Sequence, residues 1–123
     1  MDSAGQTAIP QGVEFAAALN RLWSRFLPEI EQRLAVLESA AAAATKGTLA
    51  PQQQEAAHAA AHKLAGVLGS FGLDGGTSPA RETELLYSAQ AVPDPGQAQL
   101  LVQLASNLRA LIETRKQAHA PAQ

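Results

Sequence analysis

The stretch AHKLAGVLGSFGL, residues 61–73, decides how the middle of this chain folds. Its alanines and leucines favour a helix, yet glycines stand at positions 66, 69 and 72. Each glycine inside a helix costs about 0.8–1 kcal/mol relative to alanine. These glycines follow directly after a histidine, His62, and lower the helix propensity of a segment that otherwise favours a helix. Positions where the local sequence opposes the local structure in this way are often functional.

A helical wheel separates large from small side chains in this stretch. The large apolar residues form one face, opposite His62: Leu64, Val67, Leu68 and Phe71. The small residues fall within about 60° of the histidine: Ala65, Gly66 and Gly69. Because glycine lets another backbone approach closely, the pattern predicts that His62 is prominent and meant to be reached.

Apolar residues elsewhere repeat every three or four positions, which is typical of amphipathic helices, and strand patterns are nearly absent. The predicted helices cover residues 13–26, 28–45, 51–71, 79–90 and 95–117. Pro28 separates the first two, since proline disfavours helix in the residue before it. Helices joined by short loops predict an all-α fold, an antiparallel four-helix bundle with a short additional N-terminal helix. The domain is expected over 13–117, with flexible ends at 1–12 and 118–123.

Capping residues set the predicted boundaries. Gly72 suits the left-handed conformation that ends a helix. The segment DGGTSP, residues 74–79, is predicted to be a loop in which Ser78 caps the following helix. Before the last helix, Asp94 caps, Pro95 takes the first position and Gln97 completes a capping box.

Composition excludes several classes of protein. The chain has 123 residues, enough for one domain, and its 46% hydrophobic and 4% aromatic content suits a leucine and alanine core. A net charge of −2 offers no basic field for nucleic acid or an anionic membrane. The absence of cysteine excludes disulfides and thiol chemistry. Without a membrane-helix or signal-peptide pattern, a cytoplasmic location is expected.

An accessible histidine can act as a nucleophile, because a largely neutral imidazole carries a ring-nitrogen lone pair near about pH 7. The stretch resembles the phosphoacceptor motif of histidine-containing phosphotransfer (HPt) domains. The resemblance rests on His62, Leu64 and Gly66, followed by the Gly69, Ser70 and Gly72 cluster. One departure is Ala65, which stands where this family often has a lysine.

The resemblance implies a four-helix bundle that relays phosphoryl groups, with His62 as the phosphoacceptor. The group would come from an aspartate of a receiver domain and pass to another. Lys63 and Arg81 would stabilise the phosphate, Arg81 being preferred to Glu84 on charge. Partner docking would use the surface around the histidine, and part of the first helix could contribute. The expected docking residues around the histidine are His58, Ala65, Gly66, Gly69, Ser70 and Leu73.

The expected partners are receiver domains and a hybrid histidine kinase, with the chain itself a monomer. No cofactor is expected in this chain, because the receiver would bring its own Mg²⁺. The sequence has no phosphate-binding loop and no nucleotide-binding signature. These features predict a phosphate carrier rather than a kinase, and leave open whether it counts as an enzyme.

Two other readings of the sequence stay open. The bundle could be a degenerate relative that binds a partner without phosphate chemistry. It could also hold a metal through Glu55, His58 and His62, which share one helix face, although Ala59 replaces the glutamate of the metalloprotease pattern. Trp23 and Phe26 are predicted to be core residues, since large aromatics at helical spacing are usually buried.

Overall fold

The computed structural model describes residues 3–89 and 91–118, with side chains described from Gly12 onwards. The described residues form four helices, α1 (Ser3–Lys46), α2 (Pro51–Ser70), α3 (Asp74–Ser88) and α4 (Pro95–Ala118), and no strand. The predicted all-α four-helix fold is confirmed. Among these residues, no helix combines the length and apolar character needed to cross a membrane.

The helices pack in a square in which α2 contacts α1 and α3, and α4 contacts the same two helices. The core is a leucine, isoleucine and alanine interior with two aromatic residues, Trp23 and Tyr87. The Trp23 ring meets the edge of Phe71 at 5.3 Å between centroids, and the guanidinium of Arg115 lies 4.8 Å over it. Trp23 is a core residue as predicted. Phe26 also approaches Phe71, but it keeps 38% of its surface exposed and is a rim residue rather than core.

The predicted separate N-terminal helix is wrong, because α1 runs continuously from Ser3 to Lys46 through Pro28. Pro28 and Ser24, whose carbonyl loses its helical partner, both lie on the exposed side of α1, where water can hydrate that carbonyl. Trp23 and Ile30 on either side are buried in the same core, which keeps the two halves in line.

The helical region also begins before the predicted domain start at residue 13, since α1 begins at Ser3. At the other end, Ala118 closes α4. Residues 119–123 of the predicted tail lie outside the described residues.

The turn between α2 and α3 confirms one prediction and corrects another. α2 ends at Ser70, and Gly72 takes a left-handed φ of 73°, as a helix-ending glycine does. The predicted loop over 74–79 is wrong, because α3 already begins at Asp74 and carries Pro79 inside it. Gly76 explains the difference. It is buried where α3 meets α2 and α4, and a β-carbon there would lie 2.7 Å from Leu68 and 2.5 Å from Leu111.

The start of α4 has the predicted capping box. The backbone N–H of Gln97 donates to Oδ1 of Asp94 at 2.7 Å, and the backbone N–H of Asp94 donates to Oε1 of Gln97 at 3.0 Å. These two bonds satisfy donors that the first turn of a helix otherwise leaves unpaired.

Charged side chains join α4 to α1 along the side of the bundle. Arg109 donates to both carboxylate oxygens of Glu38, at 2.8 and 2.9 Å, which raises the pKa of Arg109 above its already high value. Lys116 donates to Glu31 at 2.6 Å, a bond that raises the pKa of Lys116. Glu113 accepts from Lys116 and Arg109, and the Lys116 bond is the main cause that lowers the pKa of Glu113.

Candidate functional site

His62 lies on the solvent side of α2, with 67% of its side chain exposed. Its Nδ1 atom lies 2.8 Å from Oε2 of Glu84, which reaches across from α3. The Glu84 side chain is only 20% exposed. The prediction that His62 can be reached is therefore consistent with its position, and Glu84 fixes the orientation of its ring.

This hydrogen bond selects one form of the neutral ring. A carboxylate only accepts hydrogen bonds, so Nδ1 of His62 must carry the proton that it shares with Glu84. The lone pair of a neutral imidazole then lies on the other nitrogen, Nε2. No described residue hydrogen-bonds to Nε2 of His62. The arrangement presents an available nucleophilic nitrogen to solvent.

His58 lies one helical turn before His62 and faces the same carboxylate. Its Nε2 atom is 3.8 Å from Oε2 of Glu84, which is too long for a hydrogen bond but within reach of an ion pair when the ring is protonated. The His58 side chain is 39% exposed. Glu84 therefore stands between two imidazoles of α2.

The two predicted phosphate-stabilising cations are both exposed. Neither Lys63 nor Arg81 forms an ion pair with another described residue. α2 and α3 are antiparallel, and Arg81 lies along α3 between Glu84, which contacts His62, and Thr77, which faces position 69. The α3 residue that contacts the ring of His62 is Glu84, and stabilisation of the phosphate by Lys63 and Arg81 stays a prediction.

The small residues beside His62 do not all form an open surface. Ala65, predicted to take part in docking, is only 2% exposed and belongs to the core. A β-carbon at Gly69 would lie 3.5 Å from Oγ1 of Thr77, an ordinary contact with α3. At Gly66 a β-carbon would meet no atom within 4 Å. A helical wheel describes one helix and takes no account of the helices packed against it. Here α3 covers one edge of the small-residue face beside His62.

The other predicted docking residues lie at the C-terminal end of α2. Ser70 is exposed, and its hydroxyl donates to the carbonyl oxygen of Gly66 at 3.0 Å. Leu73 is half-buried and packs against the core. Docking by His58, Gly66, Gly69, Ser70 and Leu73 stays a prediction.

A cleft of about 570 Å³ opens beside His58, at the N-terminal end of α2 and the C-terminal end of α3. Its walls include Gln54, Glu55 and His58 from α2, with Tyr87 and Ser88 from α3. The ring of Tyr87 is buried, and this burial raises the pKa of Tyr87 to about 12. The proposed metal ligand Glu55 lines this cleft, but no group of three or more His, Asp or Glu within the described ranges could hold a metal ion.

Gln54, which sets the register of the site, was not identified from the sequence. It is buried, and its side-chain amide donates toward the carbonyl oxygens of Tyr87, Ala89 and Ala91, at 3.2, 2.8 and 3.4 Å. The available signal was a polar residue on the buried stripe of α2, three positions before Ala57. Such a residue needs partners, because an unpaired polar group is costly to bury.

Comparisons with known proteins agree with this geometry. Residues 21–118 match the Hpt domain family. The chain is 33% identical over 96 residues to Protein RcaC of Microchaete diplosiphon, a match that covers 78% of this chain and 15% of that protein. The chain thus spans a small part of the length of this relative. No solved structure matches.

The Hpt domain family serves histidine phosphotransfer in phosphorelays, where its members work with receiver domains and histidine kinases. The match runs from the middle of α1 to the end of α4 and includes His62 and Glu84. Since it covers most of the sequence, the chain belongs to the Hpt domain family.

Proposed function

We propose that this chain carries a phosphoryl group on Nε2 of His62, taking it from an aspartyl phosphate of one receiver domain and giving it to an aspartate of another. The observation that carries the proposal is the exposed ring of His62 with its Nδ1 atom bonded to Glu84 at 2.8 Å. That bond leaves Nε2 as the free nucleophile. Membership of the Hpt domain family supports the same reading.

The transfer itself needs few groups from this chain. The lone pair of Nε2 attacks the phosphorus of the aspartyl phosphate, and a nitrogen–phosphorus bond forms. The phosphorus–oxygen bond breaks, and its electron pair stays on the aspartate of the receiver. The ring keeps its Nδ1 proton and gains positive charge, which the carboxylate of Glu84 offsets. Phosphoryl transfer depends largely on such positioning and charge stabilisation.

Two cationic side chains of this chain belong to positions close to His62 and could assist the transfer. Lys63 follows His62 on α2, and Arg81 lies on α3 beside the segment that contains Gly66. In this proposal their side chains offset the negative charge of the phosphoryl group. Mg²⁺ would belong to the receiver, and the carrier would act as a monomer in the cytoplasm.

The test is phosphoryl transfer from a labelled receiver to the wild-type chain and to His62→Gln. The wild type is expected to gain an acid-labile, base-stable label, and the variant none. His119→Gln is the matched control, since it removes a histidine from another part of the sequence and should keep full labelling. Glu84→Gln is expected to slow acceptance by roughly tenfold or more, because an amide does not offset the positive charge that the ring gains and can donate to Nδ1 as well as accept from it, so it no longer selects the reactive tautomer.

Two results would count against this function. Labelling of His62→Gln at the wild-type level would show that another residue accepts the phosphoryl group. Absence of label from a panel of phosphorylated receivers, with binding to them intact, would favour the alternative of an interaction module without phosphate chemistry.

A further inference from the structure

The N-terminal part of α1 is left largely uncovered by the rest of the bundle. At 44 residues, α1 is more than twice as long as α2, which has 20. Trp23 is the first buried residue of α1 among the described side chains, and those from Gly12 to Leu22 are all exposed or half-buried. The match to the Hpt domain family begins only at residue 21. This part of the helix therefore needs an explanation of its own.

Large apolar side chains follow one side of this exposed helix, within about 60° on a helical wheel. They recur at alternating spacings of four and three residues, the repeat of helices that pair along an apolar seam: Phe15, Leu19, Leu22 and Phe26. These four residues are named the α1 seam below. Phe15 is 69% exposed and Leu22 is 43% exposed. Exposed apolar patches of this kind mark surfaces that bind a partner.

The α1 seam is complementary to itself when two copies of α1 run antiparallel. One register places Phe15 of one copy against Phe26 of the other. The same register places Leu19 against Leu22, and a twofold axis repeats both contacts. A parallel pair would instead place Arg25 of each copy beside its counterpart, and like charges at such positions are destabilising.

Charged residues beside the α1 seam favour the antiparallel register. Glu14 and Arg25 are exposed and lie on the same flank of the helix, about 80–100° from Phe15. Neither forms an ion pair with another described residue. In the antiparallel register, Glu14 of one copy and Arg25 of the other are offset by only about 3 Å along the axis. Their side chains can span that offset, so the pair gains two ion pairs.

Phe26 connects the α1 seam to the bundle. Its ring lies 6.3 Å from that of Phe71, between centroids, and it keeps 38% of its surface exposed. Phe15 of a second copy would cover this exposed edge. Phe71 lies about 180° from His62 on the wheel of α2. Contact at this edge therefore leaves His62 open in both copies.

We propose that the N-terminal part of α1 is a self-association surface, on which a second copy of this chain packs antiparallel through the α1 seam. The inference does not rest on the proposed function, since each copy keeps its own His62 for transfer. Aromatic side chains bury about 150–250 Å² each. Four partly exposed residues per copy therefore offer less than the about 800 Å² per partner of a standard interface. We expect a weak pair that separates into single copies on dilution.

The first test measures the mass of the full chain by analytical ultracentrifugation over a series of concentrations. The wild type should rise from the mass of one copy toward that of two. Phe15→Ala should weaken this association by roughly tenfold or more, since each copy loses a large apolar side chain from the contact. The matched control is Leu85→Ala, which removes an equally exposed apolar side chain from α3, 70% against 69%. Both variants should fold, because alanine favours a helix and neither residue is buried.

The second test exchanges the charges beside the α1 seam. Arg25→Glu and Glu14→Arg, each alone, should weaken association by roughly threefold or more, because each places like charges together in the pair. The two substitutions in one chain should restore it, since the ion pairs form again with their charges exchanged. A general loss of solubility or of helix would not be restored in this way.

The third test determines the direction of the two helices. The chain contains no cysteine, so introduced thiols give an unambiguous cross-link. Gly12 and Glu29 continue the spacing of the α1 seam by one step at each end, and the antiparallel register places them opposite each other. An oxidised mixture of Gly12→Cys and Glu29→Cys should form a disulfide-linked dimer, whereas each variant alone should stay a single chain.

Each test has an outcome that overturns the proposal. The mass of one copy at every concentration, or equal effects of Phe15→Ala and Leu85→Ala, would show that the α1 seam does not bind a second copy. Failure of the exchanged charges to restore association, or cross-linking of Gly12→Cys with itself, would exclude the antiparallel register. If Phe15→Ala associates normally but slows acceptance from a labelled receiver, the α1 seam binds the receiver instead.

Discussion

The side-chain nitrogen of Gln54 lies 2.8 Å from the carbonyl oxygen of Ala89, directly after the end of α3. The last carbonyl groups of a helix have no partner within it, and here a buried side chain of α2 supplies one. The bond fixes the end of α3 against the first turn of α2. Because the two helices are antiparallel, the same register places Glu84 beside His62.

Replacing Gln54 with leucine should destabilise the fold. Leucine fills a similar volume but leaves buried carbonyl oxygens unpaired, so we expect the free energy of unfolding to fall by about 1–3 kcal/mol. Urea denaturation followed by circular dichroism measures this change. The control is Gln52→Leu at an exposed neighbouring position, for which a change within about 0.5 kcal/mol is expected. Equal effects of the two substitutions would show that the bonds of Gln54 contribute nothing.

Adjacent glycines at the start of α3 should respond in opposite directions to alanine. Gly76→Ala forces a methyl group against Leu68 and Leu111 in the core, and overpacking of this kind costs about 1–3 kcal/mol. Gly75→Ala places its methyl group 3.8 Å from Leu111, an ordinary contact, and gains up to about 1 kcal/mol of helix propensity. Thermal unfolding of the two variants provides the comparison. A stabilised Gly76→Ala would mean that the leucines move aside freely.

Gly66 should lower the stability of the folded protein while allowing the proposed phosphoryl transfer to proceed faster. Its β-carbon position is open and its backbone is helical, so Gly66→Ala should raise the free energy of unfolding by up to about 1 kcal/mol. Gly66→Leu should also fold, yet slow acceptance from a labelled receiver by roughly tenfold or more if a partner approaches this backbone. Ala56→Leu, exposed near the start of α2, controls for added bulk. Normal transfer to Gly66→Leu would remove the functional reason for this glycine.

The stability of the protein should fall at alkaline pH because of Tyr87. Burial raises the pKa of Tyr87 from 10.0 to about 12, so between these values the unfolded chain releases a proton that the folded chain keeps. The contribution is fully present below about pH 10 and declines as the pH rises toward 12, by at most about 1.4 kcal/mol per unit.

The measurement compares wild type with Tyr87→Phe by urea denaturation at several alkaline pH values. The difference between them isolates this group from Lys116, whose raised pKa acts in the same direction. Tyr87 is the single tyrosine of the chain, so tyrosinate absorbance reports its ionisation directly. Parallel curves for the two proteins would contradict the prediction.

Local patterns were sufficient where the structure is decided by neighbours in sequence. The capping pair of Asp94 and Gln97 and the left-handed Gly72 involve residues within one turn, and both were predicted. The exposure of His62 followed from the apolar face opposite it. In each case, the information lies within a few residues.

Predictions were wrong where distant contacts override local preference. Gly75 and Gly76 indicate a loop by composition, but Gly76 is the residue that lets α3 start close to Leu68 and Leu111. Pro28 indicates a helix boundary, but Trp23 before it and Ile30 after it are buried in the same core, so the helix continues through the proline. Glu84 was a candidate by position, but only the register of α3 against α2 shows that it hydrogen-bonds to His62.

The square packing of the helices has an evolutionary consequence. α2 and α4 occupy opposite corners, so the outer face of α4 lies on the far side of the bundle from the helix of His62. The ion pairs of Arg109 and Lys116 with α1 lie along that remote edge. Substitutions on the outer face of α4 are therefore expected to leave the surface around His62 unchanged. This corner of the bundle can diverge in sequence, or acquire a new binding role, while the role of the surface around His62 is retained.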